Sequence, residues 1–294
     1  MLKKRIITGV LVLAFFTGTI LFVPAWVLVI LMCAVYFLAQ LEYCEMCEAG
    51  GYKLERIGIF TCGYLFLFAT LLETGFFHNR PSSCNVYQSF GGITTILFVL
   101  MPVFFMIQSV VRRKTERAAE YLGLSLLGVW YVAVLMSFMV RLVLEWEHEY
   151  CVDGIKMGRT FLIFFILLVK MGDTGAYMFG SLWGHKIKRR LIPEISPAKS
   201  IPGLVGAYVG SLLVSTIGLF VGVPWFICVA LALLMATVGV LGDLAESLLK
   251  RSFGVKDSSK RFPGMGGFLD VIDSLLLAAP FMYFFLMLLS CGYE

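Results

Sequence analysis

Apolar runs long enough to cross a bilayer recur from one end of this chain to the other. A helix crossing a hydrocarbon core of ~30 Å needs about 20 such residues. By that measure nine segments qualify, roughly 6 to 23, 25 to 41, 57 to 77, 90 to 110, 122 to 143, 160 to 182, 203 to 222, 225 to 248 and 267 to 289. Lipid offers backbone N–H and C=O groups no partner, so each run has to satisfy its own hydrogen bonds as a helix. The expectation is therefore an all-α, polytopic integral membrane protein of about nine transmembrane helices. Composition agrees: 60% of the 294 residues are apolar and 15% charged, and the mean hydropathy is +0.89, outside the usual range of a soluble domain. A signal peptide has one short apolar core, so the first run, which follows Lys3, Lys4 and Arg5, reads as a span.

The placement of basic residues, rather than the formal net charge of +5, sets the topology. Lys3, Lys4 and Arg5 precede the first span, and Lys53 and Arg56 separate spans two and three. Arg112, Arg113, Lys114 and Arg117 follow span four, Lys186, Lys188, Arg189, Arg190 and Lys199 follow span six, and the run from Lys250 to Arg261 follows span eight. These are every second loop. The others are short, nearly uncharged or acidic, so the N-terminus is expected in the cytoplasm and the C-terminus outside. Such a chain belongs in the inner (cytoplasmic) membrane as a multi-pass protein, and no nucleic-acid partner is expected.

Residues 1–150 read as scaffold, with Glu42, Glu45 and Glu48 as a solvated cytoplasmic collar, Glu73 at the interface and Arg141 snorkelling outward. Of the eight cysteines, Cys44 and Cys47 have C-x-x-C spacing without a second ligand pair, so packing is the expected role. Cys84 and Cys151 fall in two outside loops, where a disulfide and free thiols are both open readings. His78, His148 and His185 read as solvated loop residues.

Residues 151–294 carry the chemistry. Between Gly242 and Ser274, five basic and five acidic residues stand between two long apolar segments. Asp243, Ser247 and Lys250 share one helical face at i, i+4 and i+7, and Asp270 and Asp273 share another at i, i+3. Asp173 lies inside span six beside Lys170, where mutual neutralisation is the structural alternative to a functional role. At 1.5 Å per residue these carboxylates lie ~10 to 20 Å below the cytoplasmic basic loops, which points to a hydrated pocket open to the cytoplasm. Asp243, Asp270 and Asp273 are hard oxygen ligands suited to Mg²⁺, which takes one or two carboxylates and completes its shell with water and phosphates. Gly264, Gly266 and Gly267 at the head of the last span would let backbone amides approach a phosphate. Lys250, Arg251, Lys256, Lys260 and Arg261 would neutralise a polyphosphate or a lipid phosphate, or serve only as the positive-inside signal.

The run Ser247-Leu-Leu-Lys250-Arg251, then Lys256-Asp257, then Phe262-Pro-Gly264-Met265-Gly266-Gly267 with Asp270 and Asp273, resembles the C-terminal signature of the bacterial-type phosphatidate cytidylyltransferases, or CDP-diacylglycerol synthases. Asp173-Thr-Gly-Ala-Tyr177, Gly180, Gly184 and Ile195-Ser-Pro-Ala-Lys199-Ser200 resemble a second block of that family, and Leu2 to Thr8 its N-terminus. The resemblance implies attack by the phosphate of phosphatidic acid on the α-phosphorus of CTP, giving CDP-diacylglycerol and pyrophosphate, with Mg²⁺ and a second, monovalent cation such as K⁺. It implies metal binding by Asp243, Asp270 and Asp273, contacts from Ser247 and Lys250 to metal or phosphate, and a site lined by Asp173, Lys199 and Ser200. Met265 and Val271 stand where the family pattern has His and Arg. Two other readings are a degenerate homologue that binds lipid phosphate or nucleotide without turnover, and a cation-coupled membrane transporter. A homodimer is left open by the sequence.

Overall fold

The computed structural model describes residues 17–76, 92–112, 116–146, 156–184, 187, 189–220, 223–259, 261 and 266–291. Among these, eight helices are long and apolar enough to span a membrane. They are α1 (Ala25–Ala49), α2 (Arg56–Glu73), α3 (Ile93–Val111), α4 (Ala118–Leu144), α5 (Met157–Trp183), α6 (Ile201–Ser215, continued to Leu219 by a short turn), α7 (Trp225–Ser252) and α8 (Phe268–Cys291). They correspond to expected spans two to nine. The expected first span lies outside the described residues except for its last turns, a helix over 17–22.

Local chemistry sets the helix ends. Pro24 and Pro224, which have no N–H to leave unpaired, stand immediately before α1 and α7. At the start of α6 the Ser200 side chain accepts the Gly203 N–H at 3.3 Å, an N-cap followed by Pro202. The end of the helix over 17–22 is held by Arg159, whose Nη1 donates to the carbonyls of Ile20, Leu21 and Val23 at 3.3, 3.1 and 2.8 Å. A cation at a helix C-terminus both satisfies these carbonyls and complements the dipole.

The helices are not equivalent. Of the 18-residue apolar window in α4, 78% is buried, against 17% in α3, so α4 is central and α3 peripheral. Within α4 the turn Val129–Val134 is a π-helix, which sets Tyr131 facing inward. Helices α5 and α6 form the closest pair, backbone against backbone. A Cβ added to Gly206 would overlap the Gly175 carbonyl, and one on Gly210 would overlap the Met171 carbonyl. Small residues of this kind let membrane helices approach without a polar driving force. Ser211 Oγ adds a cross-helix bond to the Leu168 carbonyl at 3.0 Å.

Three expectations for the first half change. Glu42 is no part of a solvated collar: it is fully buried, because α1 leans its last turns against the loop between α7 and α8. Arg141 does not snorkel, and Glu73 does not depend on the interface. The two form a buried ion pair, extended by Glu145 at 3.0 Å from Arg141 Nη1 and by Tyr283, which donates to Glu145 at 2.8 Å. Pairing is the cheaper solution for an arginine among apolar helices. A cavity of about 520 Å³ lined by Phe66, Phe98, Trp130, Phe138 and Phe284 opens beside Arg141. Cys44 and Cys47 are buried free thiols. Cys84, Cys151, His78, His148 and His185 lie outside the described residues.

Candidate active site

At the other end of α8 from Tyr283, four helices bring together the polar residues of the second half. Helix α7 presents Asp243, Glu246, Ser247 and Lys250, spaced so that all four share one face. Lys250 Nζ lies 2.5 Å from Glu246 Oε2 and 2.5 Å from Asp270 Oδ1 on α8. Ser247 Oγ donates to Asp243 Oδ1 at 3.4 Å. The other oxygen of Asp243 meets Lys199, from the segment before α6, at 2.8 Å, and Lys199 also donates to the Val240 carbonyl. The Asp243 side chain remains 42% exposed, so the site is open there.

Asp270 is held from every side. It occupies the third position of α8, and its Oδ2 accepts the N–H of Gly267 at 2.6 Å, closing the helix start in the manner of a capping box. The same oxygen accepts Ser258 N at 3.0 Å and Ser258 Oγ at 2.8 Å. Gly266 has φ +89°, in the left-handed region where a side chain is strained, and a Cβ there would also overlap Asp270 Oδ2. The Gly267 amide thus faces Asp270 within the protein. Gly264 and Lys260 lie outside the described residues, as does Met265.

Asp273, one turn further along α8, is buried and accepts the N–H of Ser274 at 2.5 Å. Close packing brings it to α7: a Cβ on Gly242 would come to 2.8 Å from the Asp273 carbonyl. Lys170 and Asp173 of α5 pair at 3.0 Å, as the neutralisation reading anticipated, and also reach α8. Lys170 Nζ donates to Ser274 Oγ at 2.9 Å, and Ser274 Oγ donates to Asp173 Oδ2 at 3.0 Å. Ser200 is buried as the cap of α6. Arg251 and Lys256 are exposed at the rim. Arg261 turns away from this cluster to Glu45 at 2.6 Å and Glu42 at 3.2 Å. The hydrogen bond to Glu45 raises the guanidinium above its ordinary pKa, so it stays cationic.

The structure therefore gathers Asp173, Lys199, Asp243, Ser247, Lys250, Asp270 and Asp273 from α5, the segment before α6, α7 and α8. Among the described residues, no three carboxylate, histidine or cysteine side chains already converge on one metal-sized point. Val271 is half-buried and packs against the core. Three site residues escaped the sequence reading. Glu246 is completely buried, and among the described residues its Oε1 and the buried Tyr131 hydroxyl have no hydrogen-bond partner. Glu246 was detectable by its place four residues before Lys250 on the charged face of α7. Tyr131 depends on a π-turn and Glu42 on a contact across more than 200 residues, and neither leaves a local signal.

Residues 3–289 match the family described as the cytidylyltransferase family. The phosphatidate cytidylyltransferase of Bacillus subtilis is 30% identical over 98% of this chain and 99% of its own length. That of Chlamydia pneumoniae is 29% identical over 84% of this chain and 78% of its own, and that of Synechocystis 36% over 56% and 62%. With the match running nearly end to end and the acidic and basic residues of both signature blocks meeting at one place, this chain belongs to the cytidylyltransferase family.

Proposed function

We infer that this protein is a phosphatidate cytidylyltransferase, joining CTP and phosphatidic acid to give CDP-diacylglycerol and pyrophosphate. One observation carries the reading: residues of two signature blocks, 44 positions apart, meet as the Lys199–Asp243 pair at 2.8 Å, beside the Lys250–Asp270 pair at 2.5 Å. The phosphate of phosphatidic acid is the nucleophile. It attacks the α-phosphorus of CTP, the bond from that phosphorus to the bridging oxygen breaks, and pyrophosphate leaves. The nucleophile is already an anion near neutral pH, so the protein's task is to align two polyanions and stabilise the charge that develops between them. Lys199 and Lys250 are the cations at the centre of the cluster, with Arg251 and Lys256 at its rim.

The donor set fits Mg²⁺. Asp270 is saturated by Lys250, Ser258 and Gly267, whereas Asp243 is half-exposed and Asp273, among the described residues, takes a single bond, from its neighbour. Two carboxylates suffice for an ion whose remaining ligands are phosphate oxygens and water. In this reading Asp243 and Asp273 hold the ion, and Asp270 keeps Lys250 in place beside it. When bound, Mg²⁺ would supply charge neutralisation at the reacting phosphates. The unpartnered Glu246 Oε1 and Tyr131 hydroxyl are candidate oxygens for a monovalent cation.

The basic residues Arg56, Arg112, Arg117, Arg189 and Arg190 lie at the same helix ends as the site, in every second connection, which supports a cytoplasm-facing site in the inner membrane. The test is the double variant Asp243→Asn, Asp273→Asn, in which CDP-diacylglycerol formation should vanish at every Mg²⁺ concentration. Activity that survived both substitutions would falsify this assignment of the metal site.

A further inference from the structure

Glu42 stands on α1, in the part of the chain expected to be scaffold, yet its side chain bonds to the loop before α8 and to the first turn of α8, which carries Asp270. The side chain is completely buried, where an ionised carboxylate persists only if its lone pairs are satisfied. Its Oε2 accepts the Leu269 N–H at 2.8 Å and lies 3.0 Å from Ser258 Oγ, whose one proton is shared between this oxygen and Asp270 Oδ2. Its Oε1 accepts Ser259 Oγ at 2.6 Å and Arg261 Nη1 at 3.2 Å. Each oxygen thus faces two donors, a pattern that a carboxylate alone among side chains can complete. The Leu269 N–H is one of the unpaired donors at the start of α8, so Glu42 also places negative charge at that helix N-terminus.

Ser258 links this carboxylate to the active site. Its hydroxyl lies 3.0 Å from Glu42 Oε2 and 2.8 Å from Asp270 Oδ2, and Asp270 Oδ1 in turn meets Lys250. The approach needs Gly267, because a Cβ there would overlap both Ser258 Oγ and Glu42 Oε2. We propose that Glu42 is a positioning residue for cytidylyl transfer: it clamps Ser258, Ser259, Arg261 and Leu269 onto α1 so that Asp270 holds Lys250 in line with the reacting phosphates. The proposal rests on the transferase reading of the same site. It also gives Gly267 a different task from cradling a phosphate, since its N–H is committed to Asp270.

The test compares wild type, Glu42→Gln, Ser258→Ala and the double variant in detergent micelles. Two readouts are taken: kcat and KM with CTP and phosphatidic acid, and amide hydrogen exchange over residues 255–269 without substrate. Glu42→Gln has nearly the same shape but turns an NH₂ towards two donors, so exchange at Gly267 and Leu269 should quicken. The kcat should fall on the order of 100-fold, as misplacement of catalytic groups by about 1 Å does, while KM for phosphatidic acid stays unchanged. The double variant should be no slower than the slower single one, because both substitutions cut the same connection. Wild-type kcat in Glu42→Gln, or losses that multiply in the double variant, would overturn the proposal. If Glu42→Gln does not fold, Ser258→Ala decides alone: unchanged kcat and exchange in it would overturn the clamp. Quickened exchange in Glu42→Gln together with a wild type unable to transfer cytidylyl groups would keep the clamp and reject the transferase reading. Wild-type transfer with both readouts unmoved in Glu42→Gln would do the reverse.

Discussion

Lys250 Nζ sits 2.5 Å from a carboxylate oxygen of Glu246 on its own helix and 2.5 Å from one of Asp270 on the next, so a single cation joins α7 to α8 between a fully buried acid and a largely buried one. Removing that cation leaves two carboxylates facing each other away from water. Lys250→Met should therefore lower stability by about 3–5 kcal/mol as well as abolish turnover. Adding Glu246→Gln should recover part of the stability and none of the activity. Denaturant unfolding in micelles measures the first, and a double variant no more stable than Lys250→Met would remove Glu246 from this account.

Asp243 calls for the opposite separation. Its side chain is 42% exposed and its pairing with Lys199 is correspondingly screened. Asp243→Asn should change stability by no more than about 1 kcal/mol, while turnover falls by at least 10²-fold, on the scale of losing one electrostatic contact to the transition state. Parallel melting curves and initial rates test this. A large stability loss matched by a small rate loss would make Asp243 a structural residue.

The buried Arg141 cluster lies about 13 residues along α8 from the Asp270 end, or ~20 Å. Arg141→Leu strips Glu73 and Glu145 of their counter-charge and should cost about 3–5 kcal/mol. KM for CTP in the protein that remains folded should match wild type. A change in KM for CTP would show coupling between the two ends that packing alone does not explain.

Gly206→Val should separate α5 from α6, since any Cβ at that position meets the Gly175 carbonyl. Overpacking of this kind costs about 1–3 kcal/mol, and here it also displaces Ser200 and Lys199 at the head of α6. Loss of stability together with turnover is the expected result, read from unfolding and rates on the same preparation. Full activity at wild-type stability would contradict the close packing of these helices.

Much of this architecture was legible before any coordinates, for physical reasons. Spanning helices announce themselves by length and apolarity, and eight of the nine expected segments coincide with described helices to within a few residues at most boundaries. The acids Asp173, Asp243, Asp270 and Asp273 stood out because an ionisable group inside a span needs a reason. What the sequence withheld was partnership. Glu42 looked like one of three equivalent acids at i, i+3 and i+6, and its burial depends on a loop more than 200 residues away. Glu73 and Arg141 were each unremarkable alone, and only the meeting of α2 and α4 makes them a pair. Gly267 was read as an opening for phosphate, whereas the crowding of Ser258 Oγ and Glu42 Oε2 around it is visible only in three dimensions.

The most direct test of cytidylyl transfer follows the label. Purified protein receives phosphatidic acid, Mg²⁺ and CTP labelled with ³²P at either the α or the γ position. The account predicts that the α label enters the lipid as CDP-diacylglycerol and the γ label leaves as pyrophosphate, with both lost in Asp243→Asn, Asp273→Asn. Label from the γ position in the lipid, or no transfer from either, would contradict it.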